Sequence, residues 1–101
     1  MLNIEKTTEG TNLTIALSGR LDTMSAPQLE GEFHSAVDGI SRLTFDLKGL
    51  EYVSSAGLRV LLSAQKVMNK QGEMVIRNAN DEIMEIFEVT GFIDILNIER
   101  A

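Results

Sequence analysis

The stretch EYVSSAGLRVLL, residues 51–62, decides how this chain is read. Tyr52 and Val53 look like the end of a strand, and from Ala56 onward Leu58, Leu61 and Leu62 recur at helical spacing. Between them lie two serines, an alanine and a glycine, with no proline and no charge. Adjacent hydroxyls at such a junction admit three readings: a helix cap, a nucleophile, or a handle that another protein modifies. Serine is a preferred N-cap, so one of Ser54 and Ser55 is expected to close the helix end in any case. The location keeps the other readings open. The junction follows a strand expected to be parallel, at the carboxyl edge of the sheet, where α/β folds place their sites. A helix N-terminus there offers N–H groups and positive potential suited to a phosphate. Ala56 and Gly57 leave the serines uncovered.

Upstream of the junction, RLTFDL (42–47) alternates, with Leu43, Phe45 and Leu47 on one side, and KGLEYV (48–53) is expected to pass over the top. Downstream, a helix from Ala56 to about Lys70 carries Leu58, Leu61, Leu62, Gln65 and Met68 near one face. Val60, Ala64 and Val67 widen its apolar arc, so it is expected to be more buried than the first helix. Gly72 closes it and EMVIRN (73–78) forms the next strand. Asn80 then caps a third helix whose first turn holds Asp81 and Glu82, favourable at the positive end of its dipole. Ile83, Ile86 and Phe87 form the apolar side of that helix, Gly91 stops it, and FIDILNIER (92–100) contains a last short strand.

Working toward the N-terminus, residues 2–5 and 12–18 read as strands, with TTEGTN (7–12) as the turn between them. In the second strand Leu13, Ile15 and Leu17 alternate with Thr14, Ala16 and Ser18. SGRLDTMSAPQ (18–28) is a loop ending in a helix start, where Ser25 and Gln28 have capping-box spacing and Pro27 suits a first turn. The first helix presents Leu29, Phe33, Ala36, Val37 and Ile40 on one stripe, and Gly39 lies near its end. The order is β-β-α-β-α-β-α-β. It predicts one α/β domain over residues 1–101: a small mixed β-sheet with helices packed largely on one face.

Composition removes several functions. The net charge of −6 argues against duplex nucleic acid and against an anionic membrane surface. No apolar run approaches a membrane span, and MLNIEKTTEG is not a secretory signal, so a cytoplasmic protein is the expectation. Without cysteine and with one histidine, His34, neither a thiolate nor a multi-histidine metal site can be assembled, and no cofactor is expected. The phosphate-loop, dinucleotide and nucleophile-elbow motifs are missing. His34 as a base for Ser55 competes with the plainer reading of a partly exposed helix histidine. A binding module is expected rather than an enzyme, with a small serine hydrolase as the rival from another class.

The segment LTFDLKGLEYVSSAGLRVLL (43–62) resembles the signature of STAS domains, particularly bacterial anti-sigma-factor antagonists. LSGRLDTMSAPQLE (17–30) is similar to the family's second-strand segment, and KQGEMVIRNANDEIMEIFEVTGFIDIL (70–96) to its closing strand, helix and glycine ending. The resemblance covers essentially the whole chain. It implies a protein that binds an anti-sigma factor, itself a serine kinase, and so frees a sigma factor; phosphorylation ends binding and a phosphatase restores it. The phosphorylated serine falls on Ser55, the family's loop aspartate on Asp22 and its strand aspartate on Asp46. The implied partner-binding set is Asp22, Asp46, Ser54, Ala56, Gly57 and Arg59, with both aspartates near Ser55. Read without the family, Asp22 is equally a turn carboxylate, Asp46 a solvated strand position and Arg59 a surface arginine. In one departure, Ser54 stands where the family usually has aspartate. The alternative role within the family is a STAS subunit of a transporter or signalling scaffold.

Overall fold

Alternating side chains on two neighbouring strands set the layers of the molecule. The computed structural model describes residues 2–99. Leu13, Ile15 and Leu17 of β2 (Asn12–Leu21) and Leu43, Phe45 and Leu47 of β3 (Arg42–Val53) are buried on one face, while Thr14, Ala16, Thr44 and Asp46 between them stay partly open. The two strands run parallel, from Leu13 opposite Leu43 to Leu21 opposite Val53. β1 (Leu2–Glu9) joins β2 antiparallel, and β4 (Glu73–Arg77) and β5 (Ile98–Glu99) add in parallel, giving the order β1-β2-β3-β4-β5.

Helices α1 (Ala26–Ala36), α2 (Ser55–Gln71) and α3 (Asp81–Thr90) close over the apolar face in one cluster. Leu29 and Phe33 come from α1, Leu58, Leu61 and Met68 from α2, and Ile83 and Phe87 from α3. As expected, α2 is sunk deeper than α1: its buried set runs from Gly57 to Met68 and includes Gln65. The expected mixed sheet with helices on one face is the observed architecture.

Several local readings shift. β1 extends to Glu9, so the turn shrinks to Gly10 and Thr11, with Gly10 at φ 61° supplying the left-handed conformation it requires. β3 does not stop at Leu47. It continues through KGLEYV to Val53 because β2 stays beside it, with register shifts between Ala16 and Ser18 and between Gly19 and Arg20 absorbing the extra residues. The Ser25–Gln28 capping box does not form. Ser25 is helical at φ −96°, ψ −17°, and its hydroxyl turns back toward the preceding loop. Asn80 behaves as read: its side chain accepts from the Ile83 N–H at 2.8 Å and donates to the Leu50 carbonyl, fastening α3 to β3. Gly91, at φ 81°, ends α3.

Candidate functional site

The parallel pairing of β2 and β3 brings their carboxyl ends together, so the loops that follow emerge side by side. The Ser54 N–H donates to the Leu21 carbonyl at 2.8 Å, which places Ser54 against the root of the Asp22 loop. The two serines divide the roles that the sequence left open. Ser54 is the N-cap, in extended conformation, and its hydroxyl accepts from the Gly57 N–H at 3.3 Å. Serine and aspartate are both good caps, so Ser54 keeps the function an aspartate would have while removing its charge. Ser55 is the first helical residue. It is exposed, and its hydroxyl has no hydrogen-bond partner among the described residues.

Gly57 explains why the junction can lie so close to the sheet. A Cβ there would stand 2.6 Å from Leu21 Cγ and 2.9 Å from Val53 Cγ2, so a larger residue would lift the start of α2 off the strand ends. Ala56 is half-buried beside it. Together with Arg59, Ala56 faces Thr23, Ala26 and Pro27 across a groove of about 350 Å³ between the starts of α1 and α2.

Asp22 organises the neighbouring loop. Its Oδ1 accepts from the N–H groups of Met24 at 3.0 Å and Ser25 at 3.1 Å and from the Ser25 hydroxyl at 3.1 Å, while its carbonyl accepts from the Ala26 N–H. Asp22 therefore closes the turn that leads into α1, and the N-terminus of α1 itself has no side-chain cap. Ser25 braces Asp22: its oxygen accepts from the Asp22 N–H, and its single hydroxyl proton is shared between Asp22 Oδ1 and the Arg20 carbonyl. The Asp22 carboxyl is held below the usual aspartate range, first by the Ser25 N–H. Partial desolvation works the other way, and the Ser25 hydroxyl and Met24 N–H add to the lowering. A depressed folded-state value contributes stability above the unfolded value, and that contribution is lost as pH falls through the folded one. The stability difference between wild type and Asp22→Asn is accordingly expected to be constant near neutrality and to fade in acid. Urea unfolding across pH checks this, and a difference that persists unchanged into acid refutes it.

Asp46 does not share this rim. It pairs with Ala16, whereas Val53 pairs with Leu21, so it lies about 16 Å back along the sheet at ~3.3 Å per residue. Its Oδ1 accepts from the Lys48 N–H at 3.0 Å and from Asn78 Nδ2 at 2.9 Å on the open face. The expectation that it would stand beside Ser55 fails because β3 runs on past residue 47. His34 is no closer. It lies in the last turn of α1, 3.8 Å from Glu30 Oε1 and edge-on to Phe33, about 12 Å along the helix from Ala26 at ~1.5 Å per residue. Sequence reasoning passed over Met24, 89 % exposed at the tip of the Asp22 loop. The available signal was an apolar residue that belongs to no strand or helix stripe.

The chain matches the STAS domain family over residues 3–101. It belongs to that family. This STAS domain is 41 % identical over 91 residues to BtrV of Bordetella bronchiseptica, whose name describes it as an anti-sigma factor antagonist; the match covers 88 % of this chain and 78 % of BtrV. It is 30 % identical to the anti-sigma-B factor antagonist of Staphylococcus aureus, over 99 % of this chain and 94 % of that protein. Among solved structures, an anti-sigma factor antagonist from Mycobacterium paratuberculosis shares the fold with TM-score 0.88 at 20 % identity, covering 97 % of this chain and 85 % of that one. The phosphorylated form of Bacillus SpoIIAA matches with TM-score 0.76 at 16 % identity, covering 100 % of this chain and 91 % of that one. Among the described residues, no helix of the domain is long and apolar enough to cross a membrane. Nor does any group of three or more His, Asp or Glu among them have the arrangement to hold a metal ion.

Proposed function

We propose that this STAS domain is an anti-sigma-factor antagonist that binds an anti-sigma factor with serine kinase activity and is switched off by phosphorylation of Ser55. The observation that carries the reading is the division of labour at the junction. Ser54 holds the helix end, so Ser55 is left exposed with an unengaged hydroxyl and can be modified without undoing the cap. The names of the relatives support the partner class. The docking face is the rim that carries the Asp22 loop, Ser54, Ser55, Ala56, Gly57 and Arg59. Asp46 contributes from the open sheet face, set back from that rim. The domain acts as a binding module, with the chemistry at Ser55 supplied by the kinase and by a phosphatase that restores the free hydroxyl.

Incubation with the partner kinase and ATP, followed by mass spectrometry, is expected to place a single phosphate on Ser55. A phosphate on another residue defeats the reading. Capture from native cells is expected to recover a kinase-like anti-sigma factor, and recovery of a transporter or scaffold subunit instead would assign the domain to another assembly. Asp22→Lys is expected to weaken binding by reversing a charge on the docking rim. Unchanged affinity in a normally folded variant removes Asp22 from that rim.

A further inference from the structure

Arg59 is the cation that lines the groove beside Ala56. Lys6, Arg42 and Arg77 are each bridged to a glutamate and Arg20 is stacked on Tyr52, but Arg59 has no ion pair among the described residues. It follows Ser55 by one helical turn within α2, and side chains so spaced have Cβ atoms about 5–6 Å apart. The two exposed groups therefore occupy one side of the helix, and neither is engaged elsewhere.

A phosphate on Ser55 would need a counter-charge. The domain already carries −6, and Glu30 lines the same groove. A phosphoserine adds about −1.5 to −2 at neutral pH. At the start of α2 the Gly57 N–H is taken by the Ser54 hydroxyl and the Leu58 N–H by the Ser54 carbonyl, and the N–H groups of its first two residues carry no full charge. Lys66 and Lys70 lie about 16 Å or more down the helix at ~1.5 Å per residue. Of the cations on α2, Arg59 is the one within a single turn of Ser55.

We infer that Arg59 is an intramolecular clamp for the phosphate on Ser55. The anion precedes the cation by four residues, the more favourable order along a helix. The planar guanidinium can give two parallel N–H bonds to phosphate oxygens, which a lysine cannot reproduce. In the free, modified domain the phosphate is thus held and partly neutralised. A partner seeking to dock must desolvate the pair or break it, so the clamp deepens the off state. The inference rests on Ser55 being the modified residue and names what holds the modification.

The test does not require the kinase. Phosphoserine is installed at position 55 by genetic code expansion, and the phosphate is titrated by phosphorus NMR in wild type, Arg59→Gln and Arg59→Lys. The second phosphate pKa in wild type is expected to lie below that of Arg59→Gln by about 0.3 unit or more at low salt, the size of a helical ion pair. Arg59→Lys is expected in between, and the difference should shrink in about 1 M salt. Identical titrations of wild type and Arg59→Gln overturn the clamp. A kinase that leaves Ser55 unmodified overturns the regulatory reading instead, and that result is separate from the titration.

Discussion

Phosphorylated at Ser55, the domain is expected to bind the proposed anti-sigma partner at least about 30-fold more weakly than the unmodified form, with an unchanged circular dichroism spectrum. Ser55 is exposed at the first position of α2 and its hydroxyl makes no hydrogen bond among the described residues, so adding a phosphate breaks none of the bonds that hold the fold. The cap bond between Ser54 and Gly57 remains, and the melting temperature should stay level or rise slightly. At the interface the balance reverses. Burying a charge that the partner does not match costs roughly 2–5 kcal/mol, and 2 kcal/mol already corresponds to about 30-fold. On the proposed mechanism the switch is expected to work by occlusion, with no unfolding. Ser55→Ala should bind like wild type and resist modification, while Ser55→Glu should bind poorly with a native spectrum. Titration calorimetry of each form against the purified partner decides the matter. A phosphorylated domain that binds as tightly as the unmodified one would falsify the mechanism.

Gly72→Ala is expected to lower stability by about 3 kcal/mol or more, at the upper end of overpacking costs. For a domain of this size that is a fall in melting temperature of 10 °C or more by the usual scaling (~4–8 °C per kcal/mol). Gly72 is extended, with φ 172°, so the reason is contact and not backbone conformation. A Cβ would stand 1.8 Å from the Ser41 carbonyl oxygen and 2.6 Å from its carbon. That backbone is pinned: the Ser41 carbonyl accepts from the Glu73 N–H at 3.0 Å, and its N–H donates to the Thr11 carbonyl at 2.9 Å. Its hydroxyl also bonds Thr11 Oγ1, and nearby Gln71 Nε2 donates to the carbonyls of Val37 and Ile40. The chain cannot step aside without releasing the hairpin, the start of β3 and the end of α2 together. Gly31→Ala is the control with the opposite sign. Gly31 lies within α1 and a Cβ there meets nothing within 4 Å, so alanine should stabilise by roughly 0.8–1 kcal/mol through helix propensity. Thermal melts of both variants check the pair, and a Gly72→Ala protein that melts like wild type sinks the packing argument.

Those two glycines mark the boundary of what was legible in the residues. Element order, the core faces of β2 and β3 and the strand-to-helix junction that carries the candidate site all follow from spacing a few residues long. Leu13-Ile15-Leu17 and Leu43-Phe45-Leu47 alternate because each strand has one dry side, and Asn80 declares a helix start through its own side chain. The sequence also placed a serine cap before α2 without saying which serine. What it could not carry were choices made by residues far apart in the chain. KGLEYV reads locally as a connection, yet it stays in the sheet because β2 continues beside it. Ser25 has the spacing of a cap, but its hydroxyl turns to the Asp22 loop at the end of β2 and caps nothing in α1. Asp46 lost its place beside Ser55 for the same reason that β3 lengthened. Gly31 and Gly72 are indistinguishable as letters. Their difference is the Ser41 carbonyl, brought against Gly72 when the start of β3 packs beside the end of α2, and only the tertiary structure creates that contact.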